Sequence, residues 1–243
     1  MTWLSRKPAI ITAISLVVVL TAAVVLWNVS SSRTFQFFGE LVHRVDTGEK
    51  VVALTFDDGP DPAGAQQVLD ILAEKDVEAT FFVMGRDLEK HPELGRRIAD
   101  AGHELGNHTF SHERMVGVTP GFVAKEVEDT DALIRKTGYR GDIHFRPPNG
   151  KKLFVLPYYL KQHNRTTVMW DVEPDSAAAP GKDQLVSETL AQTQPGSIIL
   201  LHPMYAGRDQ TRQALGPIID GLKERGFRFV TVSALLREAP PAS

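Results

Sequence analysis

What most limits the folds open to this chain is an alternation through residues 51–232, where short β-branched or apolar runs are separated by amphipathic stretches. Runs at 51–56, 80–83, 103–106, 143–145, 167–170, 197–201 and 227–232 have the length and content of buried strands. Between the first two, Asp61 is placed to cap a helix with Pro62 at its first position and Val68, Leu69 and Leu72 on one face. A helix over 92–101 stops at Gly102, and Thr119-Pro120 opens another that carries Val123, Val127, Leu133 and Ile134 inward and ends at Gly138. Leu215, Ile218, Ile219 and Leu222 stand at i, i+3, i+4 and i+7 of the last clear helix, which closes at Gly226. Strand-then-helix repetition implies a parallel sheet with helices outside it. About seven such units predict an α/β fold, a small or incomplete (β/α) barrel. The dinucleotide-binding alternative lacks its Gly-x-Gly-x-x-Gly after the first strand.

A different pattern precedes the alternation. From Pro8 to Ser32 there is no charged residue, and residues 9–27 are almost wholly apolar. Nineteen residues of helix reach ~28 Å, about one hydrocarbon thickness. Arg6 and Lys7 place the short N-terminus in the cytoplasm, and Trp3 and Trp27 bracket the run as interfacial aromatics do. The expectation is one N-terminal transmembrane helix within residues 1–32. A cleaved signal peptide competes, with an apolar core usually ~7–15 residues long. No clean Ala-x-Ala site follows the run, although small residues surround Ser30. A buried core helix is the third reading. The first two export the rest, as a single-pass cell-membrane protein or a secreted one. Residues 33–50 then read as a connecting segment, 51–236 as one domain and 237–243 as a tail.

Composition excludes several function classes. The formal charge is −3, and the exported residues carry 25 Lys and Arg against 30 Asp and Glu. That lacks the basic excess of a nucleic-acid footprint. With no cysteine, disulfide frameworks, thiolate zinc sites and cysteine nucleophiles are all excluded. Nothing in the chain bears on oligomeric state.

In a (β/α) barrel, chemistry sits in the loops that follow the strands, and reactive residues collect there in this chain. After the first strand come Asp57, Asp58, Gly59 and Pro60, where one carboxylate can bind a metal and its neighbour handle protons; a plain turn is the ordinary alternative. His108 and His112 follow the third strand, and a spacing of four puts both imidazoles on one side of a helical turn. Arg146, in Arg-Pro-Pro-Asn-Gly, could orient a carboxylate through a bidentate contact or cover the barrel end. Asp171, Glu173 and Asp175 form an acidic cluster or a solvated loop, and His202 ends an apolar strand, titratable or merely capping. Jointly they supply two His and an Asp for a metal with an open coordination position, a free Asp, an Arg and another His.

The run Ala53 to Pro60, the His108-Thr109-Phe110-Ser111-His112 pair, Arg146 to Gly150 and Leu200-Leu201-His202 resemble, in order, the motifs of the polysaccharide deacetylases. These are the NodB-homology domains of carbohydrate esterase family 4, and the likeness runs from about Val51 to Leu236. It implies a hydrolase that removes N-acetyl groups from an acetylated polysaccharide, peptidoglycan above all. O-acetyl esterase action and a silent glycan-binding protein on the same fold are the alternatives. By resemblance, Asp58, His108 and His112 would hold a divalent metal, zinc first, with cobalt or nickel also compatible. Asp57 would be the general base, Arg146 its positioning partner and His202 the general acid that protonates the departing amine. Pro148, Asn149 and Leu200 would face the acetyl group, with a backbone N–H near Asn149 as oxyanion donor. The chain departs from the family where an Asp-Trp pair is usual, reading Asp175-Ser176-Ala177 instead. The acidic partner of His202 is therefore Asp175 or Asp171, with Asp175 favoured. Asn149 replaces a frequent tyrosine, and Pro203-Met204-Tyr205 stands where an aspartate is common.

Overall fold

The computed structural model describes residues 6–176 and 180–239. Trp3, Ala177 and the last four residues of the predicted tail lie outside the described residues. In chain order the elements begin α1 (Arg6–Ser30), β1 (Leu41–Val42), β2 (Val51–Asp57), α2 (Ala65–Glu74), β3 (Thr80–Val83), α3 (Gly85–Lys90), α4 (Pro92–Asp100) and β4 (Glu104–Asn107). They continue with α5 (Pro120–Lys136), α6 (Val155–Gln162), β5 (Thr167–Val168), α7 (Lys182–Gln192), β6 (Ile198–Leu201), α8 (Asp209–Glu224), β7 (Arg228–Val230) and α9 (Val232–Leu236).

β2 is the hub. One of its edges pairs with β6, from Ala53 opposite Ile198 to Phe56 opposite Leu201. The other edge is shared, β7 against Val51–Ala53 and β3 against Thr55–Asp57. β4 follows β3; Phe145 then bridges Asn107 on one side and Thr167 of β5 on the other, and Val172 bridges Ile199 of β6. Every one of these pairs is parallel, so the ring closes as a small (β/α) barrel.

The pleat sorts the side chains. Val52, Leu54 and Phe56 of β2 pack outward with Phe81, Leu105, Ile199 and Leu201 under the covering helices, which contribute Leu72, Ile98, Leu215 and Ile219. Val51 and Ala53 belong to the interior cluster with Phe82, Val168, Met169, Trp170 and Leu200. Thr55 and Asp57 share that inward phase, so the strand itself aims Asp57 into the barrel.

Several local expectations are corrected. Asp61 does not cap a helix; its Oδ1 accepts the Ala63 N–H at 2.8 Å, closing a turn, and α2 starts after Gly64. A Cβ at Gly64 would meet the carbonyls of Pro203 and Met204 at 2.5 and 2.4 Å, so only glycine passes that point. The run at 143–145 keeps only the Phe145 bridges, because Pro147 and Pro148 follow at once and have no N–H to extend a ladder. Residues 33–50 are more than a connector, since Leu41–Val42 pairs with Thr167–Val168 and Val45 N–H donates to Gly196 O at 2.9 Å. Thr119 does cap α5, its side chain accepting from Phe122 N–H. Ile10–Ser30 of α1 is long and apolar enough to cross a membrane, and all but its C-terminal end stands clear of the barrel.

Phe81 lies fully inside the outer cluster, edge-on to Phe56 at 5.0 Å. Phe81→Ala should lower unfolding free energy by about 3–5 kcal/mol, read as a reduced denaturation midpoint with an unchanged slope.

Candidate active site

The strand ends deliver the reactive groups to one cleft of about 470 Å³, lined among others by Asp57, Asp58, His108, His112, Asn149, Leu200 and His202. Pro148 is buried in the short turn behind Asn149 and is not among the lining residues. Asp58 follows β2 with φ of 75°, which turns its side chain away from that of Asp57. One ligand atom from each of Asp58, His108 and His112 lies within 4.8 Å of the others. His112 Nε2 is 3.3 Å and His108 Nε2 3.9 Å from Asp58 Oδ1.

The two histidines do not share a helical turn, as their spacing suggested. They sit on a loop after β4 in which Thr109 and His112 both have left-handed backbone, φ 67° and 63°. Local hydrogen bonds impose that path. Asn107 Oδ1 accepts Thr109 N–H at 2.8 Å, Thr109 Oγ1 accepts His112 N–H at 3.0 Å, and buried Glu126 accepts the N–H groups of Phe110 and Ser111. His108 Nδ1 lies 2.8 Å from the Arg146 carbonyl. Only an Nδ1–H can donate there, so Nε2 keeps its lone pair toward Asp58, the tautomer a metal ligand needs. Burial, the largest influence, lowers the His112 pKa and so favours the neutral ring that ligation needs. The donor set therefore fits a divalent cation.

Asp57 and Arg146 form a second unit. Arg146 is completely buried and donates Nη1 to Asp57 Oδ1 at 2.7 Å and to Thr55 Oγ1 at 2.8 Å. Its Nε and Nη2 donate to the carbonyls of Val168 and Met169, so the contact with Asp57 is single rather than bidentate. Burial is the largest single influence and opposes ionisation of Asp57, but the charge and hydrogen bond of Arg146 and the other positive charge nearby together outweigh it and lower the carboxyl pKa.

His202 and Asp175 form a third. His202 Nδ1 is 2.9 Å from Asp175 Oδ1, and the His202 backbone N–H donates to Asp175 Oδ2 at 2.7 Å. Asp171 is occupied elsewhere, accepting from Ser197 Oγ and Ile198 N–H. Burial alone would lower the His202 pKa, yet the hydrogen bond and charge of Asp175 prevail and raise it to about 9.

The remaining wall was not legible as a site. Arg33, just beyond α1, donates to Glu173 Oε2 at 2.7 Å and lies over Trp170 at 4.9 Å, while Trp170 Nε1 donates to the same oxygen. Ser31, Arg33, Trp170, Glu173, Ser176 and Arg208 line the cleft with the residues above. A latch holds the Arg33 segment: Lys152 N–H donates to Ser30 O at 2.8 Å, and buried Lys152 Nζ to Ser32 O at 2.5 Å. Burial, then the neighbouring Lys151, pushes the Lys152 amine down to about 8. Glu173 and the apolar run near residue 30 were visible in the sequence, but nothing local linked positions 140 residues apart.

In the wild-type chain the His202 imidazole should titrate at about 9. Asp175→Asn should bring it down toward the ordinary 6.5, which the imidazole resonances in an NMR pH series would follow; an unchanged midpoint would remove Asp175 as the cause.

Comparison with known proteins agrees with this geometry. Residues 44–168 match the polysaccharide deacetylase family. A peptidoglycan-N-acetylglucosamine deacetylase of Bacillus cereus is 36% identical over 201 residues, covering 82% of this chain and 94% of the relative. A chitooligosaccharide deacetylase of Bradyrhizobium sp. is 38% identical over 195 residues, covering 75% and 89%. The crystal structure of a peptidoglycan N-acetylglucosamine deacetylase in complex with an N-hydroxybenzamide compound superposes with a TM-score of 0.76 at 32% identity, over 79% of this chain and 91% of that one. The chain belongs to the polysaccharide deacetylase family and is a carbohydrate deacetylase.

Proposed function

We propose that this chain is a metal-dependent hydrolase, anchored by residues 1–32, whose barrel removes N-acetyl groups from peptidoglycan or a related N-acetylglucosamine polymer outside the cytoplasm. The observation that carries this reading is a His-His-Asp triangle between two acid–base pairs whose pKa values are driven in opposite directions. Arg146 keeps Asp57 ionised, and Asp175 keeps His202 protonated. The apolar α1 and the peptidoglycan relative support location and substrate.

A divalent ion held by Asp58, His108 and His112, zinc by the preference of imidazole and carboxylate donors, would polarise the acetyl carbonyl and acidify water. The chain's own groups then divide the proton work. Asp57 accepts a proton from the attacking water, and Arg146 fixes its carboxylate through Oδ1 so that Oδ2 faces the triangle, 3.6 Å from His108 Nε2. The backbone amide of Asn149 stabilises the developing oxyanion, with Leu200 lining the pocket around the acetyl group. His202 gives its proton to the departing nitrogen. An amine leaves poorly unless protonated, and an alcohol far less so. A histidine held cationic well above neutrality therefore favours N-acetyl over O-acetyl substrates.

Purified full-length protein should release acetate from N-acetylglucosamine oligomers and peptidoglycan, lose that activity with a chelator, and regain it with zinc. Release only from O-acetyl sugars would replace this reading with the esterase one. Asp57→Asn should cut turnover by about 10²–10⁴-fold while metal content stays unchanged, whereas His108→Ala should lose metal. The rate should fall as pH rises through about 9, where His202 gives up its proton; a rate still climbing above pH 10 would exclude His202 as the acid.

A further inference from the structure

The chain leaves α1 without slack. Ser30, the last residue of the helix, is buried against the barrel, and its carbonyl and that of Ser32 are both held by Lys152. Trp27, one turn earlier, lies under the Lys151 ammonium at 3.9 Å. Ile10–Ser30 spans 21 residues, about 31 Å of helix, and uses up the whole hydrocarbon thickness. The residues directly after Ser30 must therefore sit at the height of the lipid headgroups.

That segment is aromatic and uncovered. Phe35 and Phe37 meet edge-on at 5.3 Å, Phe37 packs on Phe154 at 4.6 Å, and Phe38 meets Tyr158 at 5.5 Å. Phe35, Phe37, Phe154 and Tyr158 are 40–52% exposed, although Phe35, Phe37 and Phe154 form one connected cluster. Phe38, Phe154, Val155, Tyr158 and Tyr159 also line a groove of about 390 Å³ whose surface is almost wholly apolar. Lys151 and Lys161 flank Phe154 and Tyr158 in the sequence, and Arg114 is near enough to Lys151 to act on its charge; the sign suits anionic headgroups. Exposed aromatics of this kind are costly in water and favoured at a membrane–water interface.

We propose that Phe35, Phe37, Phe154 and Tyr158 form a membrane seat, inserted into the headgroup layer of the bilayer that α1 crosses. The barrel lies on the membrane instead of hanging from a flexible tether, and the cleft, which Ser31 and Arg33 help to line, opens at headgroup height. The glycan it takes is the layer next to the membrane. The seat rests on the reading of α1 as a membrane span.

The chain has no cysteine, so single labels can be placed cleanly on the full-length protein. Val17→Cys, Tyr158→Cys and Glu224→Cys would each carry an environment-sensitive fluorophore in phosphatidylethanolamine–phosphatidylglycerol vesicles, with and without lipid-borne quenchers. The expected result is strong quenching at Val17→Cys and several-fold more at Tyr158→Cys than at Glu224→Cys. Adding Phe35→Ser, Phe37→Ser and Phe154→Ser should return the Tyr158→Cys signal to the Glu224→Cys level. Quenching at Val17→Cys with none at Tyr158→Cys overturns the seat and leaves the anchor standing. No quenching at Val17→Cys overturns the anchor, and the seat with it.

Discussion

A guanidinium with no exposed surface sits inside the barrel, and much of the site is arranged to satisfy it. Taking such an ion out of water costs several kcal/mol unless its donors are met and its charge is balanced. Arg146 meets the requirement with Thr55, Asp57 and two carbonyls of the segment that follows Phe145 across the barrel, and it stacks on Phe82 at 4.1 Å. Asp57 is thus a structural counter-ion as well as the proposed proton acceptor. The same bond that balances the charge fixes one carboxylate oxygen and leaves the other free. Because Arg146 also ties β2 to β5, one side chain contributes both to the fold and to the ionisation of Asp57.

The second constraint is backbone strain at the strand ends. Asp58, Thr109, His112 and Asn149 all adopt left-handed φ values between 54° and 75°, a conformation that costs non-glycine residues about 1–3 kcal/mol each. They persist because the surroundings over-determine them, through Asn107, Glu126 and the packed ends of β2 and β4. This strain brings one donor atom from each of Asp58, His108 and His112 to within 4.8 Å of one another. A relaxed helical turn at 108–112 could align two imidazoles but would not add Asp58.

The cleft wall is also continuous with the segment that leaves α1. Arg33, just beyond the helix, reaches Glu173 and Trp170, and all three line the cleft together with Ser176. The end of α1 and the segment after β5 thus share one wall.

Much of this could be read from the chain alone. Strand spacing and the order of Asp, His, Arg and His after successive strands are local facts, because β pleat and helical period depend only on near neighbours. β1, two residues long, and the weakly amphipathic α7 are too short or too irregular to announce themselves in that way, whereas the run at 167–170 did mark β5. Residue type limited any metal to histidine and carboxylate ligands, since cysteine is absent. Tertiary structure alone decided that Asp175 and not Asp171 holds His202, that the histidine pair rides on a kinked loop, and that Arg33 joins the cleft. Those outcomes turn on which groups meet across the barrel after packing, and residues 27 to 140 positions apart leave no trace of that meeting in their own neighbourhoods.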